Sequence, residues 1–361
     1  MSYNRDMSQL DILLPFALAP EDFAADLLRE LNAPALAMIV ARAKQTHSSV
    51  TQDFSRALPH EICIAGKFGL DDHAPAASSP AIAAATARAM GHAPGEGVWF
   101  LMQPAHVQVG RDSMMLTDLR QLSISETESR ALFDAIHPLF EEIGKPLVYG
   151  DAQQWFLRAD SWRGLRTSTP DAAMGQKLDV SMPDGSGERE WRKLQNEVQM
   201  QWHEHAVNLE REARNLKVVN SVWLWGGGDT SVPRFTSNYS QTYLPSGWMD
   251  VFSRPDASRR TELVNVSAVL NAQSERGLLV LDDLIAPAIG SDWSTWLHQM
   301  ETLEANWFAP LLDALSGKSS GPRIDKVSLI LSHASALAEF SAGRNSLRKF
   351  WIKPSLNRLS A

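Results

Sequence analysis

Cysteine is almost missing from this chain. Cys63 is the single one in 361 residues, which rules out an internal disulfide or a disulfide-built scaffold. The expected setting is therefore a reducing one, the cytoplasm. Long apolar runs are missing too: residues 10–19 come nearest, but Asp11 and Pro15 interrupt them. No basic segment precedes that run and no small-residue cleavage pattern follows it, so it does not read as a signal peptide. Nothing approaches the ~20 apolar residues of a membrane-spanning helix, and no membrane association is expected. Positive charge is not in excess either. Lys and Arg number 34 against 42 Asp and Glu, a net charge of −8, which argues against a surface that coats nucleic acid. Biased tracts and internal repeats are absent.

What is there is core-forming material. Hydrophobic residues make up 44% of the chain and charged residues 21%, with 12 Trp, which excludes disordered and collagen-like classes. The length fits one large or two ordinary domains. The expected organisation is a tail over 1–9 and a single large α/β domain over 10–361, with a possible subdivision near 167–187. That stretch is the longest rich in Pro, Gly, Asp and Ser, and loops of this length are usually functional or mobile.

Periodicity predicts the elements. Residues 12–16 form a short buried strand. Phe23, Leu27, Leu28 and Leu31 mark one helix, and Pro34 restarts a second carrying Leu36, Ile39 and Val40. Residues 71–80 are a Pro/Ala/Ser loop, followed by a small-residue helix over 81–90 that ends at Gly91. Val98 to Met102 and Met114 to Leu116 read as strands. Ser125 and Glu128 have capping-box spacing ahead of the apolar face of Leu132, Phe133, Ile136 and Phe140. Leu147-Val148-Tyr149 and Trp155-Phe156-Leu157 form a hairpin, and residues 188–215 one long helix with balanced charge. Residues 218–225 are a strand running into Gly226-Gly227-Gly228. Further strands are expected at 263–266, 278–281 and 327–331, with an edge strand at 350–352, and a helix at 293–314 that stops at Gly317. Strands alternating with helices indicate an α/β fold with a largely parallel central sheet flanked by helices.

Several chemical signatures are absent. No Gly-x-Ser-x-Gly elbow occurs. The glycine triplet is followed by Asp229-Thr230-Ser231-Val232-Pro233, with neither the Lys-Ser/Thr of a phosphate loop nor a third glycine opening a helix. His203 and His205 lie two apart, so on a helix they point away from each other and cannot share an ion. The remaining candidates sit at strand ends, where α/β folds place their sites. His333, in Ser332-His333-Ala334-Ser335, is a candidate ligand or base, and Asp282 and Asp283 are the carboxylate candidates. The glycine triplet permits close backbone approach to a ligand. Trp223 and Trp225 share one strand face, where filling the space between sheet and helix is the commoner use.

Several segments together resemble the RpfE-type regulatory proteins of proteobacteria. They are Ile12-Leu13-Leu14-Pro15-Phe16, Gln103-Pro104-Ala105-His106-Val107 with Arg111-Asp112, Asn196-Glu197-Val198-Gln199-Met200, His203-Glu204-His205-Ala206-Val207-Asn208, and Val219-Asn220-Ser221-Val222-Trp223-Leu224-Trp225 with the glycine triplet. That family is grouped with the archaeal-type cofactor-independent phosphoglycerate mutases, in the alkaline-phosphatase-like superfamily. The resemblance implies an alkaline-phosphatase-like fold over most of the chain. The mutases hold two divalent ions on Asp and His clusters and carry the phosphoryl group on a serine. Their first strand runs into Asp-Gly, where Leu13-Leu14-Pro15 stands here; their late strand ends in Asp-His-Ser, where Ser332-His333-Ala334 is nearest.

Two adjacent cations need several carboxylates, so the resemblance implies the fold without the reaction. The expectation is a catalytically degenerate, mutase-like protein without a metal, binding a small molecule or a protein partner in a regulatory role. Its pocket would use Asn220, Gly226, Gly227, Gly228, Glu197 and Gln199. The rival expectation is an active mutase or phosphatase using manganese or magnesium with Asp282, Asp283 and His333.

Overall fold

The computed structural model describes residues 7–361 apart from 52–53, 71–76, 111–112, 231–234, 253–257, 262–263, 273 and 318–321. Arg111-Asp112, Leu263 and most of the 71–80 loop therefore lie outside the described residues. In chain order the strands are β1 (Gln9–Leu14), β2 (Lys44–Val50), β3 (Val98–Ala105), β4 (Val107–Val109), β5 (Met114–Leu116), β6 (Leu147–Tyr149), β7 (Trp155–Arg158), β8 (Ser221–Asp229), β9 (Gln241–Leu244), β10 (Ser258–Arg260), β11 (Arg276–Val280), β12 (Lys326–Ser332) and β13 (Ala336–Gly343). The contacts divide the chain into two compact units. One joins Met1–Gln52 to Ser237–Ala361, and the other is the continuous Asp53–Thr236. The 167–187 stretch lies inside the second unit and carries two short helices, Pro170–Ala173 and Leu178–Ser181.

The first unit is built on a seven-stranded sheet in the order β10-β9-β11-β1-β12-β13-β2. The first five strands are parallel, and β13 and β2 are antiparallel to their neighbours. β1 lies in the middle, with Ile12, Leu13 and Leu14 fully buried, as the apolar run predicts for a strand covered on both faces. Asp11 is the polar exception. Its carboxylate meets Arg276 at 2.6 Å, accepts the Tyr239 hydroxyl at 2.8 Å and accepts the Gln9 amide at 2.8 Å.

The helices Glu21–Glu30 and Pro34–Arg42 follow β1 as expected, with Pro34 opening the second. The N-terminus of that second helix is capped from far along the chain. The buried Glu304 carboxylate accepts the N–H groups of Ala35 at 2.7 Å and Leu36 at 3.0 Å. Glu304 opens a π-helical turn, Glu304–Phe308, between the helices Trp293–Leu303 and Ala309–Ser316. The extra residue per turn aims the carboxylate at the neighbouring helix, a recurrent use of π-bulges.

The second unit holds a four-stranded sheet in the order β6-β7-β3-β8, antiparallel throughout, and the ribbon β4-β5. The expected parallel character thus holds for part of one sheet only. The β6–β7 link is a tight turn, and a connection that short permits only antiparallel pairing. Against this sheet pack the helices Glu126–Glu142 and Glu188–His203, and Ala206–Ala213 packs on the first of these. Trp155 and Trp202 meet edge-to-face at 6.0 Å, and so do Trp162 and Trp191, which gives the tryptophans their use as core.

Three local expectations are corrected. The long helix breaks at Glu204–His205, where the His205 ring accepts the Val207 N–H and starts a new helix. Asn265 caps a helix at Val266–Leu270, where a strand was expected, by accepting the Ala268 N–H. Phe350 and Trp351 stand exposed in a turn instead of an edge strand. At the amino end, Gln9 already belongs to β1 and Met7 is buried. No helix among the described residues is long and apolar enough to cross a membrane.

Candidate functional site

The first place to look is the carboxyl edge of the parallel strands in the first unit. β1 leads into Pro15 and Phe16, which has φ +58°. The Phe16 N–H donates to the Ser332 hydroxyl at 3.2 Å, and its carbonyl accepts the Trp296 indole N–H at 2.9 Å. The Leu18 N–H donates to the Ser332 carbonyl at 3.0 Å. The end of β1 is therefore laid against the end of β12 by hydrogen bonds, with the buried, apolar Leu14, Pro15 and Phe16 at that end.

His333 begins the tight link from β12 to β13, its N–H donating to the Ala336 carbonyl at 2.8 Å. Its Nδ1 is buried without a hydrogen-bond partner, and burial lowers its pKa, keeping the ring neutral. Asp282 follows β11 half-buried, its carbonyl accepting the Ile285 N–H, and Asp283 points to solvent. Among the described residues these three do not converge into a set of ligand-type side chains within common reach of one ion. Among the described residues, the donors there do not fit a two-cation centre.

The other expected binding residues lie in the second unit. Gln199 and Asn220 share a cleft of about 270 Å³ with His203, Asn208 and Glu212. Asn220 is engaged: its carbonyl oxygen accepts the Val107 N–H at 2.7 Å and its amide donates to the Val107 carbonyl at 2.9 Å. The side chain thus imitates a neighbouring strand for β4. Glu197 faces away, pairing with Lys193 one turn earlier at 3.6 Å. Gly226, Gly227 and Gly228 lie within β8. Gly226 has φ +71°, and a Cβ on Gly227 would overlap the Phe100 ring. That face of the triplet is filled by protein.

A group that the sequence reading did not single out is His60, Glu61 and Asp171. Their donor atoms all lie within 4.8 Å of one another, and no other such set of three occurs among the described residues. His60 and Glu61 sit in the first turn of the helix Pro59–Lys67, and Asp171 in the first turn of Pro170–Ala173. The Glu61 carboxylate accepts the Leu58 N–H and the Thr169 hydroxyl, both at 2.7 Å. Arg120 reaches Asp171 at 3.2 Å and Asp118 at 2.8 Å.

Burial, helped by the Arg120 charge, drives the His60 pKa down to about 3, so the ring is neutral. Burial and the Asp171 charge push the Glu61 carboxyl up to about 8. Burial also raises Asp171, with Arg120 opposing. Thr169 and Glu61, which tie the two segments together, stand 108 positions apart along the chain. The only local signal was Pro-His-Glu and Thr-Pro-Asp at helix starts, where the acid reads as a capping group.

No protein-family profile matches the chain, and a search of curated proteins finds no match. Solved structures similar to it include the following two. The PH0037 protein of Pyrococcus horikoshii superposes with a TM-score of 0.52 at 10% identity, over 94% of this chain and 88% of that one. The cofactor-independent phosphoglycerate mutase of Thermoplasma acidophilum DSM 1728 gives 0.48 at 13% identity, over 98% and 95%. The first likeness shows a shared fold; neither shows an activity.

Proposed function

We propose that this chain is a catalytically degenerate relative of the cofactor-independent phosphoglycerate mutases, of the RpfE type, which works by binding a small molecule or a protein partner. The observation that carries the reading is the closed end of β1. Where metal-dependent phosphoryl transfer needs a carboxylate beside two cations, the chain places Leu14, Pro15 and Phe16 and ties Phe16 to Ser332 and Trp296. The motif resemblance supports the family.

The test is turnover of 2- and 3-phosphoglycerate, and of a generic phosphomonoester, by the full chain with manganese or magnesium. The expected result is a rate no higher than that of His333→Ala and Asp282→Asn. Metal-dependent turnover abolished by either substitution would establish the active-enzyme reading instead.

A further inference from the structure

We propose that His60, Glu61 and Asp171 form a site for one divalent transition-metal ion within the second unit. It shares no residue with the strand-end region on which the functional reading rests. One imidazole and two carboxylates suit zinc or manganese, and they come from two helix starts that the ion would pin together. The donor atoms already lie within 4.8 Å of one another. A tetrahedral ion with ligands at about 2.1 Å needs donors roughly 3.4 Å apart, a contraction within the reach of side-chain rotation.

Charge balance points the same way. Once an ion displaces the Glu61 proton, Glu61, Asp171 and Asp118 stand against the single guanidinium of Arg120, and one divalent cation cancels the surplus of two negative charges. Leu58 and Thr169 both donate to Oε2 of Glu61, which leaves its Oε1 for an ion, and each Asp171 oxygen takes one Arg120 contact and keeps a second lone pair.

The test is equilibrium dialysis of the EDTA-treated full chain against zinc chloride or manganese chloride, with bound metal counted by mass spectrometry. The expected result is one ion per chain. His60→Ala, Glu61→Gln and Asp171→Asn should each weaken binding at least about tenfold, whereas His203→Ala, on the helix Glu188–His203, should leave it unchanged. No ion on the folded wild-type chain, or binding lost in His203→Ala but kept in Glu61→Gln, overturns the proposal. X-ray absorption of the wild-type protein loaded with zinc keeps the proposal testable should the variants fail to fold. One imidazole among oxygen ligands at about 2.0–2.2 Å supports it, and two or more imidazoles, or a sulfur, refute it. None of these readouts depends on turnover, so a failure here is separable from a failure of the functional reading.

Discussion

Gly227→Ala distinguishes a glycine kept for packing from one kept for a ligand. The added methyl would overlap the Phe100 ring, 2.6 Å from Cδ1 and 3.1 Å from Cζ, and nearer still to Cε1. Phe100 is 1% exposed and its ring meets Trp162 edge-on at 6.1 Å, so it has no free space to enter. Overpacking of this kind costs about 1–3 kcal/mol, and the upper end applies where the obstructing ring is itself wedged. For a unit of this size that is a loss of roughly 6–12 °C in melting temperature at 3 kcal/mol. Differential scanning calorimetry of the wild type, Gly227→Ala, Phe100→Leu and the double variant reads it directly. The double variant should be more stable than the sum of the single losses implies, because leucine vacates the space that the methyl enters. A melting temperature for Gly227→Ala within about 1 °C of wild type refutes the packing argument.

Glu304→Ala should destabilise the first unit by about 2–4 kcal/mol, because it leaves the Ala35 and Leu36 N–H groups buried and unsatisfied. A change in urea midpoint worth less than about 0.5 kcal/mol would contradict the capping role. At Asp11, burial raises the carboxyl pKa, but hydrogen bonds from Gln9, Arg276 and Tyr239 outweigh it and hold the group below the usual 3.8. Stability from this group is therefore present above pH 3.8 and lost as pH falls through the folded value. Asp11→Asn should cost about 2–4 kcal/mol at neutral pH, toward the lower figure because Arg276 keeps 36% of its side chain in water. It should also flatten the acid side of the stability–pH curve, and an unchanged acid slope would sink this assignment.

The elements that the sequence discloses are those whose signal is local. Ser125 accepts the Glu128 N–H at 3.3 Å while the Glu128 carboxylate accepts the Ser125 N–H at 2.8 Å, as their spacing predicts. Gly91 and Gly317 take φ +84° and +68° at the helix ends where periodicity stops. The hairpin at 147–157 needs only its two apolar triplets and the turn between them.

β2 and β13 escape notice for opposite reasons. β2, Lys44-Gln45-Thr46-His47-Ser48-Ser49-Val50, is an exposed edge strand with almost no apolar pattern. In β13 the alternation is carried mainly by alanine, serine and glycine, which hydrophobicity barely registers. The break at Glu204–His205 is hidden because the residues on both sides keep the helical period. The cluster at His60, Glu61 and Asp171 depends on two helix starts being brought together by tertiary structure, and no spacing along one element can announce that. Asn220 illustrates the reverse. Its place just ahead of the strand that carries the glycine triplet suggests ligand binding, whereas the carbonyl oxygen and the NH2 of its side-chain amide are both engaged by the Val107 backbone.

The discontinuity of the first unit has a consequence for synthesis on the ribosome. β1 emerges ahead of every other strand among the described residues, yet both of its sheet neighbours, β11 and β12, are encoded some 265 residues or more downstream. The continuous 53–236 segment, by contrast, owns every strand of its four-stranded sheet once β8 has been translated. Nascent chains arrested near residue 270 should therefore protect the 53–236 segment from protease while leaving the amino-terminal strand open to cleavage or to chaperone capture.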